Sequence, residues 1–105
     1  GAEAAWMIIQ DCYDRGEFSD VENKVYSFSD SGTGQTYWLA KAFIVLGDAF
    51  VERGDYSQAM ATFQSISDGY SPLPGGDDIL DNVKMRIYRL EELIKLKEAA
   101  DSAAV

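Results

Sequence analysis

Asp77-Asp78-Ile79-Leu80-Asp81 is the densest run of carboxylates in the chain, with the D-D-x-x-D spacing that holds Mg²⁺ and diphosphate in prenyl-transfer enzymes. Such a site needs a second acidic motif opposite the first and cations for the phosphates, and neither stands nearby in the sequence. Aspartates just ahead of an apolar helical run serve more simply as N-terminal caps. Gly32-Thr33-Gly34 lacks the lysine and the full spacing of a phosphate loop. Cys12 falls in an apolar stripe with Ile8 and Ile9, with no histidine or cationic cluster to stabilise a thiolate, so it reads as a small hydrophobe. Met7, Met60 and Met85 read as packing. The chain has no histidine, which removes imidazole chemistry and His-ligated metals. No catalytic residue, metal ligand or cofactor site is therefore expected. What is left is a surface: Trp6, Gln10 and Tyr13 are spaced to share one helix face, apart from the stripe of Ala5, Ile8 and Cys12.

The elements that must position such a face fit within 105 residues, the size of one domain or of a piece of a larger protein. A hydrophobic share of 47% is enough to fill a core without metals or disulfides, and the single cysteine forms no internal bridge. Nine basic against eighteen acidic residues give a net charge of −9, which argues against a phosphate-binding surface and against nucleic acid as a partner. The longest apolar stretch, Ala42 to Val51, is broken by Gly47 and Asp48 and is shorter than the roughly 20 residues that span a bilayer. The start, Gly-Ala-Glu-Ala-Ala, has no basic n-region and does not read as a signal peptide. It reads as a processed or excised end, which leaves the compartment open.

The chain repeats itself. Asp14 to Asp30 aligns with Glu52 to Asp68 at an offset of 38, with Arg, Gly, three serines and the final Asp identical. Phe18, Val21, Val25 and Phe28 correspond to Tyr56, Ala59, Phe63 and Ile66, which is helical spacing. Upstream of each copy lies another helix. The first carries the stripe of Ala5, Ile8, Ile9 and Cys12 and ends at Arg15-Gly16. The second runs from Thr36, a candidate N-cap, to Glu52 and is apolar almost all round, as expected of a helix buried between layers. Glycine-rich linkers at 31–36 and 69–76 interrupt the chain. After them Asp77 and Asp78 open a last helix with a stripe of Ile79, Leu80, Val83, Ile87, Leu90 and Ile94, and Lys95 and Lys97 favour its C-terminal end. Five helices and no strand are expected.

The second copy reads Phe43-x-x-Leu46-Gly47-x-x-Phe50, then Gly54-Asp55-Tyr56, Ala59-x-x-x-Phe63 and Pro72. This resembles the tetratricopeptide repeat, a helix-turn-helix unit with the pattern W-x-x-L-G-x-x-Y, A-x-x-x-F and P. Gly47 would let the two helices approach closely and Gly54 would make the turn. The first copy matches more loosely, with Ile9 in the small-residue slot. In the last helix Lys84 stands where glycine would be if Leu80, Val83 and Ile87 take the apolar slots. The stretch Tyr37 to Asp48 also looks like the closing repeats of long tetratricopeptide proteins from Bacteroidetes. The resemblance implies an all-α, right-handed array within one domain, 1–105, of a longer protein: a divergent unit at 2–35, a second unit at 36–72 and a capping helix at 77–100.

In proteins of this family the first helix of each unit lines a concave groove that holds a peptide. Carried over position by position, the resemblance assigns Glu3, Trp6, Gln10 and Tyr13 from the first unit and Lys41, Ile44, Asp48, Val51 and Glu52 from the second. With Asp14 added, four carboxylates then face Lys41 alone. A partner protein or peptide with basic and apolar side chains is expected, and no enzyme activity. Relatives that clamp a C-terminal carboxylate use Lys and Asn here; Gln10 and Asp48 replace the Asn, so that activity is not expected. Trp6 and Tyr13 would equally serve as packing against a preceding unit or the chain's own loops. An alternative role is the structural end-cap of a longer helical solenoid, and an uncovered first helix would also permit self-association.

Overall fold

The computed structural model describes residues 1–104. They form five α-helices and no strand: α1 (Ala2–Asp14), α2 (Phe18–Asp30), α3 (Thr36–Glu52), α4 (Tyr56–Gly69) and α5 (Ile79–Ala103). The two short turns, α1 to α2 and α3 to α4, are built alike. Gly16 and Gly54 take positive φ, +76° and +75°, where an L side chain is disfavoured. The Gly16 N–H donates to the Tyr13 carbonyl and the Glu17 N–H to that of Cys12; 38 residues on, Gly54 donates to Val51 and Asp55 to Phe50. Each is a Schellman motif that satisfies carbonyls the helix end would leave open. The Asp55 carboxylate then caps α4 by accepting the Gln58 N–H at 3.1 Å.

The longer connections differ from their sequence expectations at the caps. Gln35, not Thr36, occupies the N-cap of α3, because Thr33 Oγ1 accepts the Gln35 N–H and turns the chain early. Asp78 is the N-cap of α5 but makes no side-chain cap bond. Asp77, one residue earlier, accepts the Ile79 N–H, the Leu73 N–H and the Tyr70 hydroxyl, tying the 70–78 loop to the helix start. Burial acts to raise the Asp77 carboxyl, yet these three bonds outweigh it and hold it below its ordinary value. Helix α5 continues to Ala103, so Lys95 and Lys97 lie before its last turn.

Helix α3 touches all four others, α2 packs only on α1 and α3, and α5 only on α3 and α4. The helices therefore form a linear stack, 51 × 31 × 19 Å. The radius of gyration, 14.7 Å, exceeds the roughly 13 Å of a sphere-like globule of this length. The core runs along the stack through Ile9, Val25, Leu46, Phe50, Phe63, Val83 and Leu90, with Cys12 buried among them. Gly47 sits where α3 meets α4: a Cβ there would lie 2.7 Å from Phe63 Cζ, inside contact distance. Ile8, Met7 and Met85, expected as packing, are exposed on the outer faces of α1 and α5. No helix among the described residues is long and apolar enough to cross a membrane.

Candidate functional site

The face of α1 that carries Trp6, Gln10 and Tyr13 looks across at Lys41, Ile44, Asp48 and Glu52 of α3, and α5 forms a third wall. Two clefts result. One, about 240 Å³, is lined by Trp6, Gln10, Lys41, Ile44 and Asp48 with Asp78, Asn82 and Arg86. The other, about 270 Å³, is lined by Tyr13, Asp48, Val51 and Glu52 with Arg86, Arg89 and Leu93. They meet at Asp48 and Arg86, which line both. Eight of the nine residues expected at the groove are thus brought together; Glu3 is exposed and lines neither cleft.

At one end the Trp6 and Trp38 rings lie 5.4 Å apart and Tyr37 meets Trp38 edge-on at 5.1 Å. Lys41 stands one turn after Tyr37 and Trp38, and its Nζ lies 4.0 Å from the Trp6 centroid and 5.3 Å from that of Trp38. The ammonium makes no ion pair among the described residues, and the ring quadrupoles take the place of a carboxylate. Among the described residues the buried Trp6 Nε1 has no hydrogen-bond partner, an orphan donor that costs about 1–3 kcal/mol. Trp6 therefore packs and lines the groove at once.

At the junction Arg86 Nε donates to Asp48 Oδ1 at 2.9 Å and Nη2 to Oδ2 at 3.1 Å, a fork-to-fork pair. Burial pushes the Asp48 carboxyl above its ordinary value, and the guanidinium pulls it back only in part. At the far end the Tyr13 hydroxyl donates to Glu52 at 3.4 Å. Burial, then the carboxylates of Asp48 and Glu52, raise the phenol, so it stays a neutral donor at ordinary pH. Gln10 spends an amide proton on Asp14.

The expected acidic groove counted only α1 and α3. Helix α5 adds Arg86 and Arg89, so the lining holds three cations, with Lys41, against the carboxylates of Asp48, Glu52 and Asp78. These arginines were legible in principle: a second step of 38 carries Ile44, Asp48 and Val51 onto Asn82, Arg86 and Arg89. The D-D-x-x-D carboxylates diverge, Asp77 into its loop and Asp78 to the Tyr37 hydroxyl. Among the described residues no three His, Cys, Asp or Glu side chains converge as metal ligands. In comparisons with known proteins the chain matches no family model, no curated protein and no solved structure.

Proposed function

We propose that the chain is a non-catalytic scaffold, a right-handed tetratricopeptide-like array, that holds a segment of another protein in the groove between α1, α3 and α5. The observation that carries this reading is the convergence of eight groove positions on two clefts that meet at the Asp48–Arg86 pair. The paired Schellman turns and the glycine contact between α3 and α4 support the array. Balanced charge favours a segment carrying both signs around an apolar anchor. The free charges would steer encounter and set register, and the apolar anchor would supply most of the affinity.

Panning a random peptide library on the immobilised chain, then titrating the enriched peptides, tests this. Gln10→Arg and Arg89→Glu alter the lining without touching the core. Each should weaken binding by about tenfold or more while leaving the melting temperature in place. Peptides that bind both variants as tightly as the parent would remove the groove as the site.

A second reading, the end-cap of a longer helical solenoid, has its own observation. Met7 and Ile8 are each 56% exposed, whereas the residues 38 further on, Val45 and Leu46, are 4% and 1% exposed. The first helix thus presents an apolar face that α3 has covered.

A further inference from the structure

We propose that the cleft between α3 and α4, on the side away from the groove, binds a neutral, flat, largely apolar small molecule. It is independent of the groove reading. The cleft has a volume of about 490 Å³, larger than either groove cleft and within the range of about 300–1,000 Å³ typical of small-molecule sites. Its buried floor is Leu46, Phe50 and Ile66, half-buried Phe43 forms a wall, and Tyr26 and Tyr70 stand at the mouth. Four of the lining residues are thus aromatic, which suits a planar ring system.

The chemistry of the occupant follows from charge. The chain is 26% charged with a net −9, yet no lining residue of this cleft carries a formal charge. An anion would enter a negative molecule and find no cation; a cation would find no carboxylate. Either would lose its hydration without compensation. A protein segment would likewise meet no charge to fix its register. A neutral ring system loses little hydration, and one polar end can meet the hydroxyls of Thr36 and Ser65, which make no side-chain hydrogen bond among the described residues.

The repeat supplies an internal control. An equivalent notch of about 320 Å³ lies between α1 and α2, lined in part by Ile8, Phe28, Asn23 and Lys24. A step of 38 carries Asn23 onto Ala61 and Lys24 onto Thr62, both lining the larger cleft. The same backbone feature is therefore polar and charged in the first unit and stripped of charge in the second.

The test uses two dyes that share a ring system: neutral N-phenyl-1-naphthylamine and the anionic 8-anilino-1-naphthalenesulfonate, each titrated by fluorescence. The neutral dye should bind one to one and about tenfold or more tighter than the sulfonate. Two changes should each weaken it by about tenfold or more with helicity and melting retained: A61N/T62K, which restores the lining of the first unit, and Ala61→Phe, which fills the cleft from an exposed helical position. Equal binding of the two dyes, non-saturable uptake, or unchanged binding by both variants would overturn the proposal. So would a concentration-dependent dimer abolished by Ala61→Phe, since a second copy would then be the occupant.

Discussion

Asp48 and Arg86 each retain between a quarter and a third of their side-chain exposure, and their pairing decides how the groove responds to pH. Because burial outweighs the guanidinium, the folded carboxyl titrates above its ordinary value of 3.8. Between those two values the folded state holds more protons than the unfolded one, so stability from this group falls as pH rises through the window. Removing Arg86 deletes the attraction and leaves the desolvation, which widens the window upward. Arg86→Met should therefore cost about 1–3 kcal/mol at pH 7, less than for a fully buried pair because solvent still reaches both groups. The loss should be smaller at an acidic pH near the ordinary carboxylate value of 3.8, where the raised carboxyl takes up a proton. Urea unfolding at both pH values measures this, and adding Asp48→Asn should flatten the difference. Equal losses at the two pH values would mean that Arg86 acts through packing.

At the scale of elements, the contact of α3 with α4 turns on Gly47. Alanine in mid-helix normally gains about 0.5–1 kcal/mol over glycine. Here its Cβ would press on the ring of Phe63, which is 1% exposed, so the ring must shift to admit it. Gly47→Ala should lower stability by about 1–3 kcal/mol net, and Phe63→Leu in the same chain should offset part of that loss, so the pair is less costly than the sum. A double-mutant cycle by chemical denaturation checks it; strict additivity would separate the two residues. This contact was readable in the sequence because a small residue on an otherwise apolar helix has few other uses. The helices themselves were legible from their stripes, and the Gly16 and Gly54 turns from their repetition. The start of α5 was legible from its aspartate pair, but the cap of α3 was not, since Thr33 acts through loop geometry that no periodicity reports. The third wall of the groove was legible only through the second step of 38, which the apolar stripe of α5 does not follow. The stripe of α5 places Lys84 in the glycine slot of Gly47, one residue away from the register in which Asp48 maps onto Arg86.

At the scale of the whole molecule, the stack is uneven at its two ends. Helix α5 closes one end with Ile79, Val83 and Leu90, each at most 1% exposed, under an outer face that mixes charges with Met85 and Tyr88. The other end leaves Met7 and Ile8 of α1 in solvent while Trp6 turns inward onto Trp38. Adjacent exposed apolar side chains on one helix are a contact surface in waiting, but Glu3 and Asp11 flank Met7 one turn to either side and the net charge of −9 opposes the meeting of two copies. The chain should therefore self-associate weakly, with a dissociation constant of about 0.1–1 mM. M7K/I8K should make it monomeric at the same concentration, and because both positions are exposed the melting temperature should move little. Sedimentation equilibrium across a concentration series distinguishes the outcomes. A parent chain that stays monomeric at about 1 mM would show that two exposed apolar residues at this end are tolerated as they stand, and the case for a covered first helix would fall with it. Loss of association in M7K/I8K alone, with Ala61→Phe unaffected, would locate the contact on α1 and separate it from the cleft between α3 and α4.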